Sequence, residues 1–106
     1  MAEKENTVRI FIADDEAKVR FALRVLLARE PGWQIVGEAA DAERLPEQIK
    51  STQPELLLMD WLLPGLDQIG SIETLRTTYP GMTVITMSGR PEVGKAALAS
   101  GEQMLL

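Results

Sequence analysis

Leu56-Leu57-Leu58-Met59 is a run of four apolar residues that ends on Asp60, and Trp61-Leu62-Leu63-Pro64-Gly65 follows at once. The run is long enough only for a buried strand, and the Pro-Gly turn closes the segment behind it. A strand apolar on both sides needs cover on both faces, which is the condition of a parallel sheet between helices. Burial therefore carries Asp60 to the end of a core element. Working carboxylates of open α/β sheets sit just beyond the carboxyl ends of strands. A lone Asp there is more simply a loop or helix cap, so its significance depends on what the other strands bring beside it.

The neighbouring segments supply that sheet. Val8-Arg9-Ile10-Phe11-Ile12-Ala13 reads as a first strand ending at Asp14-Asp15-Glu16. Val19, Ala22, Leu23, Leu26 and Leu27 share one face of a predicted helix that ends near Glu30, before Pro31-Gly32. Trp33 to Ala39 is a second strand with Trp33, Ile35 and Ala39 on one side and Val36 on the other. Pro46 lies within Ala42 to Ser51 and removes an internal hydrogen bond unless it falls in the first turn, so the helix there is expected to be short or kinked. Ile69, Ile72, Leu75 and Tyr79 mark a third helix that Asp67 is placed to cap, closed by Pro80-Gly81. Met82 to Met87 forms a fourth strand ending in Ser88-Gly89. Pro91 suits the first turn of a further helix running to about Ser100, and Gln103 to Leu106 begins a fifth strand. The alternation is that of a parallel α/β sheet.

Chemistry is narrowed by what the chain lacks. Its 106 residues suit one domain, and 11 Lys and Arg against 16 Asp and Glu give a net charge of -5. No cationic excess exists to displace counterions from phosphates, so direct nucleic-acid binding by this segment is not expected. There is no Cys, hence no disulfide framework or thiolate site, and no His, the commonest general base and transition-metal ligand. The polar start Met1 to Thr7 is no signal peptide, and no apolar run reaches membrane-spanning length, so a cytoplasmic protein is expected.

The strand ends then share a chemistry: Asp14 and Asp15 after the first strand, Asp60 after the third, Ser88 after the fourth. Neighbouring strands lie ~4.8 Å apart, so these side chains converge if strands one, three and four are adjacent. Converging carboxylates raise one another's pKa values unless a cation shares the site, and without His or Cys the natural occupant is a hard, oxygen-liganded ion such as Mg²⁺. Ser88 with the small Gly89 suits a phosphoryl group. Taken singly, an acidic pair is more often a helix cap and a Ser a turn residue.

Ile12-Ala13-Asp14-Asp15-Glu16, Leu58-Met59-Asp60 with Pro64-Gly65 and Asp67, and Val84-Ile85-Thr86-Met87-Ser88-Gly89 together resemble the receiver domain of two-component response regulators. Val36-Gly37-Glu38-Ala39 further resembles receivers joined to helix-turn-helix output domains of the nitrate-response type. The resemblance runs from about Val8 to Leu106. It implies a flavodoxin-like three-layer sandwich with strand order 2-1-3-4-5, a flexible tail at 1–7 and a receiver domain at 8–106. It implies that Asp60 is a phosphoacceptor for the phosphohistidine of a sensor histidine kinase. Asp15, Asp60 and the Leu62 backbone carbonyl would hold Mg²⁺, Asp14 would meet it mainly through water, and Ser88 would bond a phosphoryl oxygen. Such a domain is a switch controlling an output such as transcription, not a turnover enzyme, and a separate C-terminal output domain would bind DNA.

Departures from the family pattern shape further expectations. The family's strand-five Lys falls just beyond Leu106, Lys95 is no obvious substitute, and the fifth helix is missing, so the fold is expected to be truncated within strand five. A sheet face left open favours association, which predicts a homo-oligomer, with exchange of elements between copies as one geometry. The alternative function is a receiver-like dimerisation domain that takes no phosphate. Leu105 stands where the family often has a switch aromatic and Gln68 where it often has Gly. A dehalogenase-like phosphatase fits poorly, because it needs alternating acids where Asp14-Asp15 are adjacent.

Overall fold

Leu57, Leu58 and Met59 are at most 1% exposed, Leu57 and Met59 lying in one core layer and Leu58 in another. The computed structural model describes residues 7–87 and 103–105. In it Val8–Ala13 (β1), Trp33–Ala39 (β2), Leu56–Asp60 (β3), Thr83–Met87 (β4) and Gln103–Leu105 (β5) form one sheet in the order β2-β1-β3-β4-β5. Every pairing is parallel. The helices are Ala17–Leu27 (α1), Leu45–Thr52 (α2), Leu66–Ile69 (α3) and Ile72–Thr78 (α4). This is the flavodoxin-like sandwich expected from the sequence.

Period-two side-chain alternation distributes the central strands between two layers. Phe11, Ala13, Leu57, Met59 and Val84 pack with Leu45 and Ile49 of α2 and Ile72 and Leu75 of α4. Ile10, Ile12 and Leu58 pack on the opposite face with Leu23 and Leu27 of α1 and with Ile35 and Ile85. Pro46 lies in the first turn of α2, where its missing N–H costs nothing, and the helix is short.

Several local expectations give way to tertiary contacts. The inward stripe of α1 is Val19, Leu23 and Leu27, spaced by four, whereas Ala22 and Leu26 are exposed, Leu26 by 54%. The helix stops at Leu27, since Arg29 and Glu30 donate to carbonyls three residues back and tighten the chain into turns. In β2 the pairing steps from Ile10–Ile35 to Phe11–Gly37, leaving Val36 as a bulge. The bulge reverses the side-chain parity, so Ile35 and Ala39 lie in opposite layers instead of sharing one. A Cβ on Gly37 would stand 2.6 Å from Phe11 Cε2, so the close approach of this ring requires glycine.

The predicted third helix is two helices, broken at Gly70 (φ +121°), where a side chain would be strained and would meet Thr74 at 2.8 Å. Asp67 lies in the first turn of α3 and caps nothing; Ser71 caps α4, its Oγ accepting from the Thr74 amide at 3.2 Å. The expected helix from Pro91 to Ser100, Lys95 and the tail before Thr7 lie outside the described residues.

Candidate metal centre

β1 and β3 are adjacent and in register, Ala13 opposite Met59, so the next residues of both strands leave the sheet side by side. Carboxylate oxygens of Asp14, Asp15 and Asp60 consequently lie within 4.8 Å of one another. Asp14 is 5% exposed, Asp60 half-buried and Asp15 exposed. The Asp14 amide donates to the Ala39 carbonyl at 3.0 Å, which anchors the strand end to β2. Asp14 Oδ1 accepts from the Glu16 amide at 2.8 Å, and Asp60 Oδ1 from the Leu62 amide at 3.2 Å. Each acid thus closes a local turn with one oxygen.

Two of these acids are perturbed. Burial holds the Asp14 carboxyl above its ordinary range; the Glu16 amide opposes this, while the charges of Asp15 and Glu16 reinforce it. Burial likewise raises Asp60, against the Leu62 amide, with the charges of Asp14 and Asp15 and a hydrogen bond shared with Asp15 adding to the rise. Clustered anions with too little positive charge favour protons or a cation. The donor set is entirely carboxylate oxygen in a chain without His or Cys, which fits a hard ion of the Mg²⁺ kind.

β4 continues the edge on the far side of β3. Met87 pairs with Asp60, and its carbonyl accepts from the Trp61 amide at 3.0 Å. Ser88, the next residue, lies outside the described residues, as do Gly89 and Arg90. Beside Asp60, Trp61 is half-buried, Leu62 is 54% exposed, and an open cavity of about 660 Å³ extends along Leu63, Leu66 and Ile72.

The structure also brings in residues to which the sequence assigned no site role. Arg20 Nη1 donates to the Asp14 carbonyl at 2.6 Å, and Arg20 Nε pairs with Glu38 at 3.4 Å. Arg24 Nη1 meets both Glu38 oxygens at 2.7 Å. A signal existed, since Glu38 stands near the end of the second strand, on the same sheet edge as the acids.

The fold and this cluster of acids define a receiver-type signalling domain, and residues 10–105 match the response regulator receiver domain family. The chain belongs to that family, whose members are phosphoacceptor signalling modules. It is 33% identical over 91 residues to a protein-glutamate methylesterase/protein-glutamine glutaminase of Methanosarcina acetivorans, covering 86% of this chain and 26% of that protein. It is 37% identical over 84 residues to a protein of the same name from Xanthomonas campestris pv. campestris, covering 79% of this chain and 24% of that protein. The chain thus spans about a quarter of the length of these curated relatives. Among solved structures it resembles the isolated REC domain of RcsB from Salmonella enterica serovar Typhimurium, determined with phosphomimetic BeF3-. The TM-score is 0.81 at 24% identity, over 94% of this chain and 77% of that one, a likeness of fold. Among the described residues no helix is long and apolar enough to cross a membrane.

Proposed function

We propose that residues 8–106 form a receiver that takes a phosphoryl group onto Asp60 from the phosphohistidine of a partner kinase and thereby switches an output, in the cytoplasm. A carboxylate oxygen of Asp60 attacks phosphorus, an O–P bond forms as the histidine N–P bond breaks, and the imidazole leaves with the electron pair. The Leu62 amide holds one Asp60 oxygen, which fixes the carboxylate's rotation and leaves the other oxygen for attack. Asp15 and Asp60, with the Leu62 carbonyl, would hold Mg²⁺. Asp14, buried and engaged by the Glu16 amide, would meet the ion mainly through water. When bound, the ion offsets negative charge on the transferring phosphoryl. Ser88 supplies a hydroxyl to a phosphoryl oxygen by resemblance to the family.

The observation that carries this function is the convergence of three carboxylates from two adjacent strand ends within 4.8 Å, with Asp60 among those pushed upward. The domain assists transfer to its own Asp60 and does not turn over substrate. The Val36 to Ala39 segment supports a transcriptional output carried by another domain; the methylesterase relatives are about four times as long as the segment matched here.

Trp61, next to Asp60, should report Mg²⁺ and then beryllofluoride by successive fluorescence changes, with Trp33→Phe removing the background of the other indole. Asp60→Asn should abolish the second change. Absence of any Mg²⁺ response together with absence of acid-labile phosphate after incubation with a phosphodonor would refute the phosphoacceptor role.

A second reading, association of copies without phosphate transfer, is favoured by exposed apolar side chains: Phe21 at 61%, Leu26 at 54%, Val25 at 46% and Trp33 at 42%. In that case Asp60→Asn leaves the assembly state unchanged.

A further inference from the structure

The structure assigns to Arg20 a positioning role: its guanidinium, held by Glu38, fixes the Asp14–Asp15 peptide so that both acids face the metal centre, an assignment that presupposes the Mg²⁺ site proposed above. Asp14 is the last point at which the chain is tied to the sheet before the loop. Its amide is bound to the Ala39 carbonyl at 3.0 Å, and its carbonyl receives Arg20 Nη1 at 2.6 Å. With both peptide groups flanking Asp14 occupied, the plane of the Asp14–Asp15 peptide is set, and with it the direction in which Asp15 leaves the backbone. Asp15 is the exposed member of the acidic trio, and among the described residues its carboxylate meets the Asp60 side chain and no backbone group that could do this instead.

Arg20 can serve because its own position is determined elsewhere. Nε meets Glu38 at 3.4 Å, the two side chains being 21% and 25% exposed, and Arg24 also pairs with Glu38 from the next turn of α1. Glu38 sits opposite Ile12 in the ladder, so the brace joins β2, α1 and the loop after β1. The planar guanidinium directs Nε and Nη1 along fixed, different vectors; a lysine ammonium has no such fork. Position and charge oppose each other here. As a nearby cation Arg20 repels Mg²⁺, so if charge were its only influence, removing it would tighten metal binding.

Mg²⁺ titration of Trp61 fluorescence in the intact chain, with thermal melts of the metal-free proteins alongside, separates these effects. Arg20→Lys keeps the charge and loses the fork, so the dissociation constant should rise about tenfold, the size usual for groups that orient metal ligands. Arg20→Met should rise by a similar factor. Arg24→Met, which touches Glu38 but not the loop, should stay within about twofold of the original. Because Arg20→Lys is the milder change, it carries the test if Arg20→Met does not fold. Unchanged or tighter Mg²⁺ binding in Arg20→Lys overturns the assignment, as does a lowered melt with unaltered affinity, which marks a purely structural brace. A parent protein that gives no Mg²⁺ response removes the metal site itself, whereas a responsive parent with equally responsive Arg20 variants removes only the role of Arg20.

Discussion

Three carboxylates drawn together by two strand ends are a poor arrangement for a metal-free protein at neutral pH. Burial makes Asp14 and Asp60 both hold their protons above the ordinary carboxylate range, and for Asp60 the charges of Asp14 and Asp15 add to it. The folded state therefore binds protons more tightly than the unfolded chain. The stabilising contribution of these groups is present at low pH and lost as pH rises through the elevated values. Metal-free protein should accordingly gain stability from this site as pH falls from neutral toward the carboxylate range. Added Mg²⁺ should stabilise most at neutral pH, where it competes with the fewest protons. Asp60→Asn should raise the metal-free melting temperature by a few degrees at neutral pH, with the gain shrinking under acid, and should weaken stabilisation by Mg²⁺. Melting curves across pH with and without Mg²⁺ check this; a metal-free protein whose stability falls steadily with acid would contradict it. The acids were legible in the sequence because each ends a strand that hydrophobic pattern alone makes visible. Arg20 was not, since its six-residue separation from Asp14 acquires meaning only when α1 folds back across the sheet edge.

At the scale of elements, the strands follow from the hydrophobic pattern and their order from the family resemblance, whereas caps, breaks and the bulge answer to contacts that the pattern does not show. The third strand is visible as an uninterrupted apolar run, whereas Pro46 in the first turn leaves the length of α2 to its other end, where Gln53 turns left-handed (φ 49°). The bulge at Val36 has one local mark, Gly37 beside it, but its reason lies in Phe11, whose 1% exposed ring occupies the space a Cβ on Gly37 would need. Gly37→Ala should therefore cost about 1–3 kcal/mol, as overpacking does, read as a lower urea midpoint with unchanged slope. Combined with Phe11→Leu, the penalty of the alanine should largely vanish, since the two positions are in contact and their effects should not add. The break at Gly70 is a similar case. Ile69, Ile72, Leu75 and Tyr79 all pack on the core as their spacing suggested, yet they do so from two helices, because the chain turns at a glycine between them.

For the molecule as a whole, the described residues cover the two sides of the sheet unequally. α2 and α4 both pack on the face that holds Phe11 and Leu57, whereas the described cover on the face of Ile10, Ile12 and Leu58 is α1, which leans on β1 and β2 through Leu23 and Leu27. Leu26 and Phe21 are left in solvent, with Ile85 and Met87 half-covered. A chain with this surface should associate: mass by light scattering should rise with concentration. Phe21→Ser with Leu26→Ser should return it toward the monomer while changing stability by no more than about 0.5 kcal/mol per exposed site. A mass that stays monomeric over a hundredfold range of concentration would remove this expectation.

The all-parallel sheet also imposes a schedule on synthesis. A strand cannot turn back on its neighbour in a parallel pair, so β1 leaves the ribosome with no ladder to join until an intervening helix has passed and Trp33–Ala39 has followed. Its second partner, Leu56–Asp60, comes later still, and that strand in turn waits for Thr83–Met87. Asp14 and Asp15 are made early and Asp60 late, so Asp60 is kept apart from the adjacent pair until more than half of the chain has emerged. The repulsion between Asp60 and that pair arises only when the strands that force them together already exist.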